Sequence, residues 1–219
     1  MTSYIDLSHV LEPGMPAYPG LPVPQFHTYF THAESLERGT YAPGTSFQIA
    51  TFEIPGNTGT YIDAPFHRYP EGQDFFTLPL EKMANLPATL ATILREGPIN
   101  PDDLAGLELK DRALLIRTDW SKHWGSAGYY RSGPFLTAES CQYLIDASVR
   151  LVGIDCANID NMSDPSRPAH TALLAKGIPI VEHLCNLEQL PSGPFRFFAV
   201  PPAIKGGTSF PVRAFAIRE

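Results

Sequence analysis

The sequence predicts a single α/β domain built on a mixed sheet. Three observations carry this. The second half alternates short apolar runs with helical segments, and the chain then closes on two further β runs. Hydrophobic residues make up 43% and charged residues only 18%, where roughly 25% charged is usual, so a sizeable core is available and global disorder is excluded. Finally, 22 of the 219 residues are proline, scattered from Pro13 to Pro211. That is about twice the ~5% average. A helical bundle or coiled coil is excluded, because an interior proline removes a helix hydrogen bond and clashes with the preceding turn.

The elements follow in order. Tyr4–Leu7 reads as a short strand. A loop with five prolines (Pro13, Pro16, Pro19, Pro22, Pro24) comes next, too stiff to collapse and suited to lie against the surface or over a site. Residues 25–45 are polar and show no assignable period. Phe47–Ile54 reads as a strand, Pro55-Gly56 breaks it, and Thr60–Ile62 resumes it. Ala88–Leu94 and Ala113–Thr118 are predicted strands joined by a polar connection over 102–112. The strongest helix is predicted over Thr137–Val149, capped by Thr137, with Cys141, Leu144, Ile145 and Val149 at helical spacing. Leu151–Cys156 is continuously apolar, as a buried parallel strand is. A second helix is predicted over Pro168–Lys176, with Pro168 in its first turn and Gly177 as its stop. Ile178–Glu182 is the next strand. Phe195–Val200 and Val212–Ile217 close the chain as an antiparallel pair. No repeat or linker interrupts this order, so residues 1–219 are expected to form one domain.

Composition also excludes partners. The net charge is −7, from 16 Lys+Arg against 23 Asp+Glu, and no Lys/Arg cluster stands out. Nucleic acid is therefore not an expected partner. No apolar run approaches the ~18 residues of a membrane span, and Met1-Thr2-Ser3-Tyr4 lacks the basic and apolar regions of a signal peptide. Cys141, Cys156 and Cys185 are odd in number and sit in apolar surroundings. They read as reduced core thiols of a cytoplasmic protein.

Chemistry concentrates in two stretches. In residues 56–67, Asn57, Tyr61 and Asp63 share parity and project from one face if the chain is extended. His67 lies four residues beyond Asp63, after Pro65 turns the chain. Asp63 and His67 then bracket one small volume; the plainer alternative is that Asp63 caps a turn and His67 sits on the surface. In residues 152–183, Asp155 ends an apolar strand, His170 falls in the first turn of the predicted helix, and Glu182 ends the next strand. Strand ends are the usual place for a site in an α/β sheet. With Asp63, this His and Glu make an N/O ligand set suited to zinc or manganese. The plainer alternative is a satisfied helix-end histidine and a carboxylate paired with a base. Glu182 ends an apolar strand, so it needs a cation or a proton donor in either case.

Other features read more simply. Trp120, His123 and Trp124 line a pocket or a surface loop. His9, His27, His32 and His183 have no partner at ligand spacing and read as structural. Gly206-Gly207 is followed by Thr208, which is not a phosphate loop. Tyr18, Phe26, Tyr29 and Phe30 are placed to form an aromatic flap.

The 56–67 stretch resembles the signature His-x-Gly-Thr-His-x-Asp-x-Pro-x-His of the cyclase-like metal-dependent hydrolase family, which includes bacterial kynurenine formamidase and isatin hydrolase. Gly59, Thr60, Asp63, Pro65 and His67 match it. Further pieces match in order and spacing. They are Ile5-Asp6-Leu7-Ser8 through Tyr18-Pro19-Gly20, Val152-Gly153-Ile154-Asp155, His170 with Leu173-Leu174, Ile180-Val181-Glu182 with Asn186-Leu187, and Pro201-Pro202 through Pro211-Val212-Arg213-Ala214. The resemblance implies a barrel-like β core flanked by helices, and a homodimer or homotetramer acting on a small molecule.

The first two signature histidines are Asn57 and Tyr61 here. The ligand set that the resemblance leaves is Asp63, His170 and Glu182, for one divalent cation, Zn or Mn. The expected activity is hydrolysis of a small amide, cyclic amide or lactone. His67 moves the proton, Tyr61 donates to the oxyanion, and Asn57 and Tyr18 contact substrate. Two alternatives stand beside it: a metal-free cyclase, dehydratase or isomerase using His67 and Tyr61, and a non-catalytic small-molecule-binding relative.

Overall fold

A computed structural model describes residues 3–131 and 133–218. Among them the chain forms thirteen strands: β1 (Ser3–Asp6), β2 (Gln25–Phe30), β3 (Ile49–Glu53), β4 (Tyr61–Asp63), β5 (Leu86–Thr92), β6 (Pro98–Ile99), β7 (Ala113–Arg117), β8 (Phe135–Leu136), β9 (Leu151–Ile154), β10 (Ile180–Glu182), β11 (Phe195–Phe198), β12 (Ser209–Pro211) and β13 (Phe215–Arg218). The four α-helices are α1 (His32–Glu37), α2 (Pro101–Leu104), α3 (Ala138–Asp146) and α4 (Pro168–Ala175).

Nine strands form one mixed sheet in the order β1-β13-β11-β5-β7-β9-β10-β4-β12, curled into a half-barrel. The centre, β5-β7-β9-β10, is parallel, and the strands outside it are antiparallel. The expected α/β fold with a mixed, barrel-like sheet is what the chain adopts. Ala113–Ile116 and Leu151–Ile154 are buried throughout, because both faces of the central strands are covered. Leu114, Ile116, Val152 and Ile154 pack on Cys141 and Leu144 of α3 and Leu173 of α4. On the other face, Leu115 and Val181 pack on Ile62, Phe197 and Ala216 inside the curl. Each fully buried aliphatic side chain is worth roughly 1.5–3 kcal/mol.

The helix ends follow local chemistry. Thr137 caps α3 by accepting from Ser140 N at 3.2 Å. Pro168 opens α4, where a missing N–H costs nothing. β11 and β13 pair antiparallel as expected, from Phe195↔Arg218 to Phe198↔Phe215.

The departures lie where the burial pattern is weakest. Residues 25–45, which show no period, contain β2 and α1; β2 pairs with β3 as a two-stranded ribbon whose residues are mostly exposed. With neither face buried, no alternation marks it. α1 is announced only by a Thr31–Glu34 capping box. The polar connection expected over 102–112 begins with α2, capped by Asn100 and Asp103. The helix expected to reach Val149 ends at Asp146, before Ser148 turns the chain at φ 60°. The closing strand starts at Phe215 instead of Val212.

Two predictions follow from this packing. A Cβ at Gly153 would lie 2.7 Å from Leu184 Cδ1 and 2.9 Å from Leu115 Cδ2. Gly153→Ala is therefore expected to cost about 1–3 kcal/mol of stability by overpacking; an unchanged urea midpoint would contradict it. The second concerns His9, whose ring stacks on Trp124 at 3.9 Å and whose Nε2 is buried without a partner. Burial lowers its pKa to about 4. The folded state thus binds fewer protons than the unfolded one between about pH 6.5 and 4. The His9 contribution is complete above that window and lost as pH falls through it. His9→Phe should flatten the fall in melting temperature between pH 7 and pH 4.5. A slope identical to wild type would show that His9 does not titrate with unfolding.

Candidate active site

Strand β4 is held between β10 and β12, and this register builds the site. Tyr61 lies opposite Glu182 and Pro211, while Asp63 lies opposite Ile180 and Ser209. Ile62 points to the core, so Tyr61 and Asp63 share the other face. The Tyr61 hydroxyl donates to Glu182 Oε2, and Ile159 N donates to Glu182 Oε1 at 2.6 Å. The Ser209 hydroxyl donates to Asp63 Oδ1. A 3₁₀ turn over Pro65–His67 folds His67 back, with Nδ1 3.0 Å from Ser209 Oγ and 3.8 Å from Asp63 Oδ1.

His170 comes from the first turn of α4. Asp160 seats that turn, accepting from Ala169 N at 2.6 Å and His170 N at 3.1 Å, and it also meets His170 Nδ1 at 2.6 Å. The opposite ring atom, Nε2, lies 3.5 Å from Asp63 Oδ2 and 3.8 Å from Glu182 Oε1. Asp63, Asp160, His170 and Glu182 are all buried. The His67 side chain is 33% exposed, which puts it in contact with solvent.

Three carboxylates around one imidazole set the electrostatics. Burial opposes the His170 charge, but the hydrogen bond to Asp160 and the nearby carboxylates of Asp63 and Glu182 outweigh it and lift its pKa to about 10. Burial pushes Glu182 up to about 7 against the pull of His170. Burial first, then the Glu182 and Asp63 charges, hold Tyr61 well above 10, so it remains a neutral phenol. Asn57 lies beside this phenol on the cavity wall and pulls its pKa down slightly against these larger effects.

The donor set fits a divalent ion. Asp63 Oδ2 is buried and has no hydrogen-bond partner. Ligand atoms of Asp63, His67 and His170 lie within 4.8 Å of one another. Glu182 approaches the group through His170, while its oxygens also serve Ile159 and Tyr61.

A cavity of about 420 Å³ opens on this cluster. Tyr18, Asn57, Tyr61, His67 and His170 line it, all residues singled out from the sequence. Of the expected aromatic flap only Tyr18 reaches the cavity; Phe26, Tyr29 and Phe30 lie on the β2–β3 ribbon, with Tyr29 exposed. His183 is buried in the core with Nε2 on Ala157 O at 3.1 Å, and His32 bonds Ser46 on the surface. Trp120 is buried, and Trp124 stacks on His9. Asp155 ties β9 to the end of β7 through Thr118 N, Thr118 Oγ1 and Asp119 N.

Asp160, Ser209, Arg68, Asn158 and Arg167 were not singled out. Ser209 reaches the site through sheet register alone. Asp160 caps α4 from nine residues before Ala169, outside the spacing of an ordinary helix cap, which lies within the first turn.

Comparison with known proteins identifies the family. The family model described as "Putative cyclase" matches residues 5–161. The kynurenine formamidase of Bacillus cytotoxicus is 29% identical over 214 residues, covering 97% of this chain and 96% of the relative. That of Maricaulis maris is 28% identical over 229 residues, covering 100% and 99%. Isatin hydrolase A from Labrenzia aggregata, solved with benzyl benzoate, superposes with a TM-score of 0.83 at 25% identity, covering 99% of this chain and 93% of that one. A structure described as a potential metal-dependent hydrolase with cyclase activity gives a TM-score of 0.80 at 26% identity, with both chains fully covered. With a family match running from the first strand into the loop that seats His170, the chain belongs to the Cyclase family.

Proposed function

We propose that the protein hydrolyses the carbonyl–nitrogen bond of a small amide, with one divalent cation, Zn or Mn, held by Asp63, His170 and Glu182. The observation that carries this reading is the buried cluster of carboxylates around one imidazole, with Asp63 Oδ2 unpartnered. Such a cluster is compensated by positive charge, from a protonated His170 or from a bound divalent ion on the neutral ring. Kynurenine formamidases and an isatin hydrolase among the relatives support amide chemistry. A lactone presents the same carbonyl.

When bound, a divalent ion acidifies water and polarises a carbonyl. This chain's residues do the rest. Asp160 fixes the His170 ring through Nδ1 and turns Nε2 toward Asp63. Tyr61, kept as a phenol, holds Glu182, and Asn57 lines the substrate wall beside it. In the reaction a water oxygen bonds to the carbonyl carbon, the C–N bond breaks, and His67 carries the water proton to the leaving nitrogen. Its partly exposed ring and its bond to Ser209 suit a group that exchanges protons. Tyr18 forms part of the substrate wall.

A second reading has an observation of its own: His67 shares the 4.8 Å group with Asp63 and His170 and is an alternative third ligand. Metal content of two variants separates the two. His67→Ala should keep one ion per chain and lose about 10²–10⁴-fold in kcat, while Glu182→Gln should lose the ion. The reverse pattern would make His67 the ligand.

We also place this reading in the cytoplasm as a homodimer or homotetramer. Three buried free cysteines support a reducing compartment, and no helix among the described residues is long and apolar enough to cross a membrane. The projecting β2–β3 ribbon carries exposed Tyr29, Ile49 and Phe52, which suit a contact with a second copy. Light scattering on the purified protein should give a multiple of 24.1 kDa. Phe52→Glu should shift it toward monomer; a monomeric wild type would contradict the assembly.

A further inference from the structure

We infer that the molecule held in this cavity carries a carboxylate remote from the bond that is cut, bound by Arg68 and Arg167. The word substrate here rests on the hydrolase reading, but the anion site does not.

Both arginines line the 420 Å³ cavity. Arg68 directly follows His67, and its Nη2 donates to Ser166 O at 3.3 Å and Thr171 Oγ1 at 3.1 Å. Arg167 immediately precedes α4, and it donates through Nη1 to Asn158 Oδ1 at 3.0 Å and through Nη2 to the Tyr18 hydroxyl at 3.4 Å. Every one of these acceptors is neutral. Among the described residues, neither guanidinium has a carboxylate within 4 Å, although Asp and Glu outnumber Lys and Arg by 23 to 16. The five other arginines in ion pairs, Arg95, Arg112, Arg117, Arg150 and Arg213, have found theirs. Asp164 feels the charge of Arg167 but forms no ion pair with it; its Oδ1 accepts from Ser166 N and Oγ at 2.8 and 2.7 Å.

Two guanidiniums sharing one wall repel each other until an anion joins them. Each has five N–H donors in a planar fork that matches a carboxylate, and most of those donors remain. The remote position follows from the other wall. A carboxylate produced at the cut carbonyl arises at the Asp63–His170–Glu182 cluster, where a bound cation would meet it, whereas the arginines are seated on Ser166, Thr171, Asn158 and Tyr18, none of which belongs to that cluster. The arginines therefore serve a second acidic group, one the molecule already has when it enters. An uncharged amide of the same shape would fill the cavity without it.

Calorimetric titration with two probes tests this: 3-phenylpropanoate and its uncharged counterpart 3-phenylpropanol, on the protein as purified. The acid is expected to bind at least about tenfold tighter than the alcohol. Arg68→Gln and Arg167→Gln should each remove most of that preference, and Arg167→Lys should restore part of it, since charge returns without the fork. Equal affinity of acid and alcohol in the wild type would overturn the inference. So would a preference that survives in the double Gln variant but vanishes on chelation, because the anion would then be meeting a bound ion. Failure of the hydrolase reading shows separately, as absent amide turnover in a protein that still prefers the acid through its arginines.

Discussion

The structure depends on the confinement of strand β4 between β10 and β12. Three residues of β4 carry Tyr61 and Asp63 into a dry interior, opposite Glu182 on one side and Ser209 on the other. Taking carboxylates out of water is costly unless positive charge and hydrogen bonds compensate. Everything near β4 answers that cost. Ser209 takes one oxygen of Asp63, Ile159 N and Tyr61 take those of Glu182, and His170 is drawn between them by a helix that Asp160 seats. Asp63 Oδ2 remains, with His170 Nε2 3.5 Å away. The same negative density that makes the interior expensive is what gives a cation a reason to bind there.

The two positions that depart from the family signature fit into this balance. Tyr61 donates its hydroxyl proton to Glu182, and Asn57 lines the cavity beside it. Two histidines in their place would present ring nitrogens; an amide and a buried phenol present a hydrogen bond instead. The phenol is held neutral by burial and by the flanking carboxylates, so it steadies Glu182 without adding charge. The departure therefore puts a hydrogen-bond donor against buried Glu182 at the Tyr61 position.

Much of this was legible in the sequence, and what was missed has physical reasons. The apolar runs at Ala113, Leu151 and Ile180 announced a buried parallel centre, because strands covered on both faces leave no room for polar alternation. Glu182 stood out because a carboxylate ending an apolar strand carries a desolvation cost that must be met, Asn57, Tyr61, Asp63 and His67 because of their parity and spacing within 56–67, and His170 because it falls in the first turn of a helix after a strand end. The β2–β3 ribbon was silent because neither of its faces is buried. Ser209 was silent because its place opposite Asp63 follows from strand register across a separation of 146 residues. Asp160 and the two arginines were hidden for a related reason. Their roles depend on how the loop over 155–167 folds over the strand ends, and loop geometry has no period to read.

In the reading proposed above, the carboxylate cluster around His170 is closed by one metal cation. An anomalous-difference map of the crystallised protein, with data at the zinc and manganese edges, tests this directly. The expected result is a single peak per chain, bonded to Asp63 Oδ2 and His170 Nε2 and reached by one further side chain. An active enzyme that shows no such peak, with a protonated His170 hydrogen-bonded to Asp63, would contradict it.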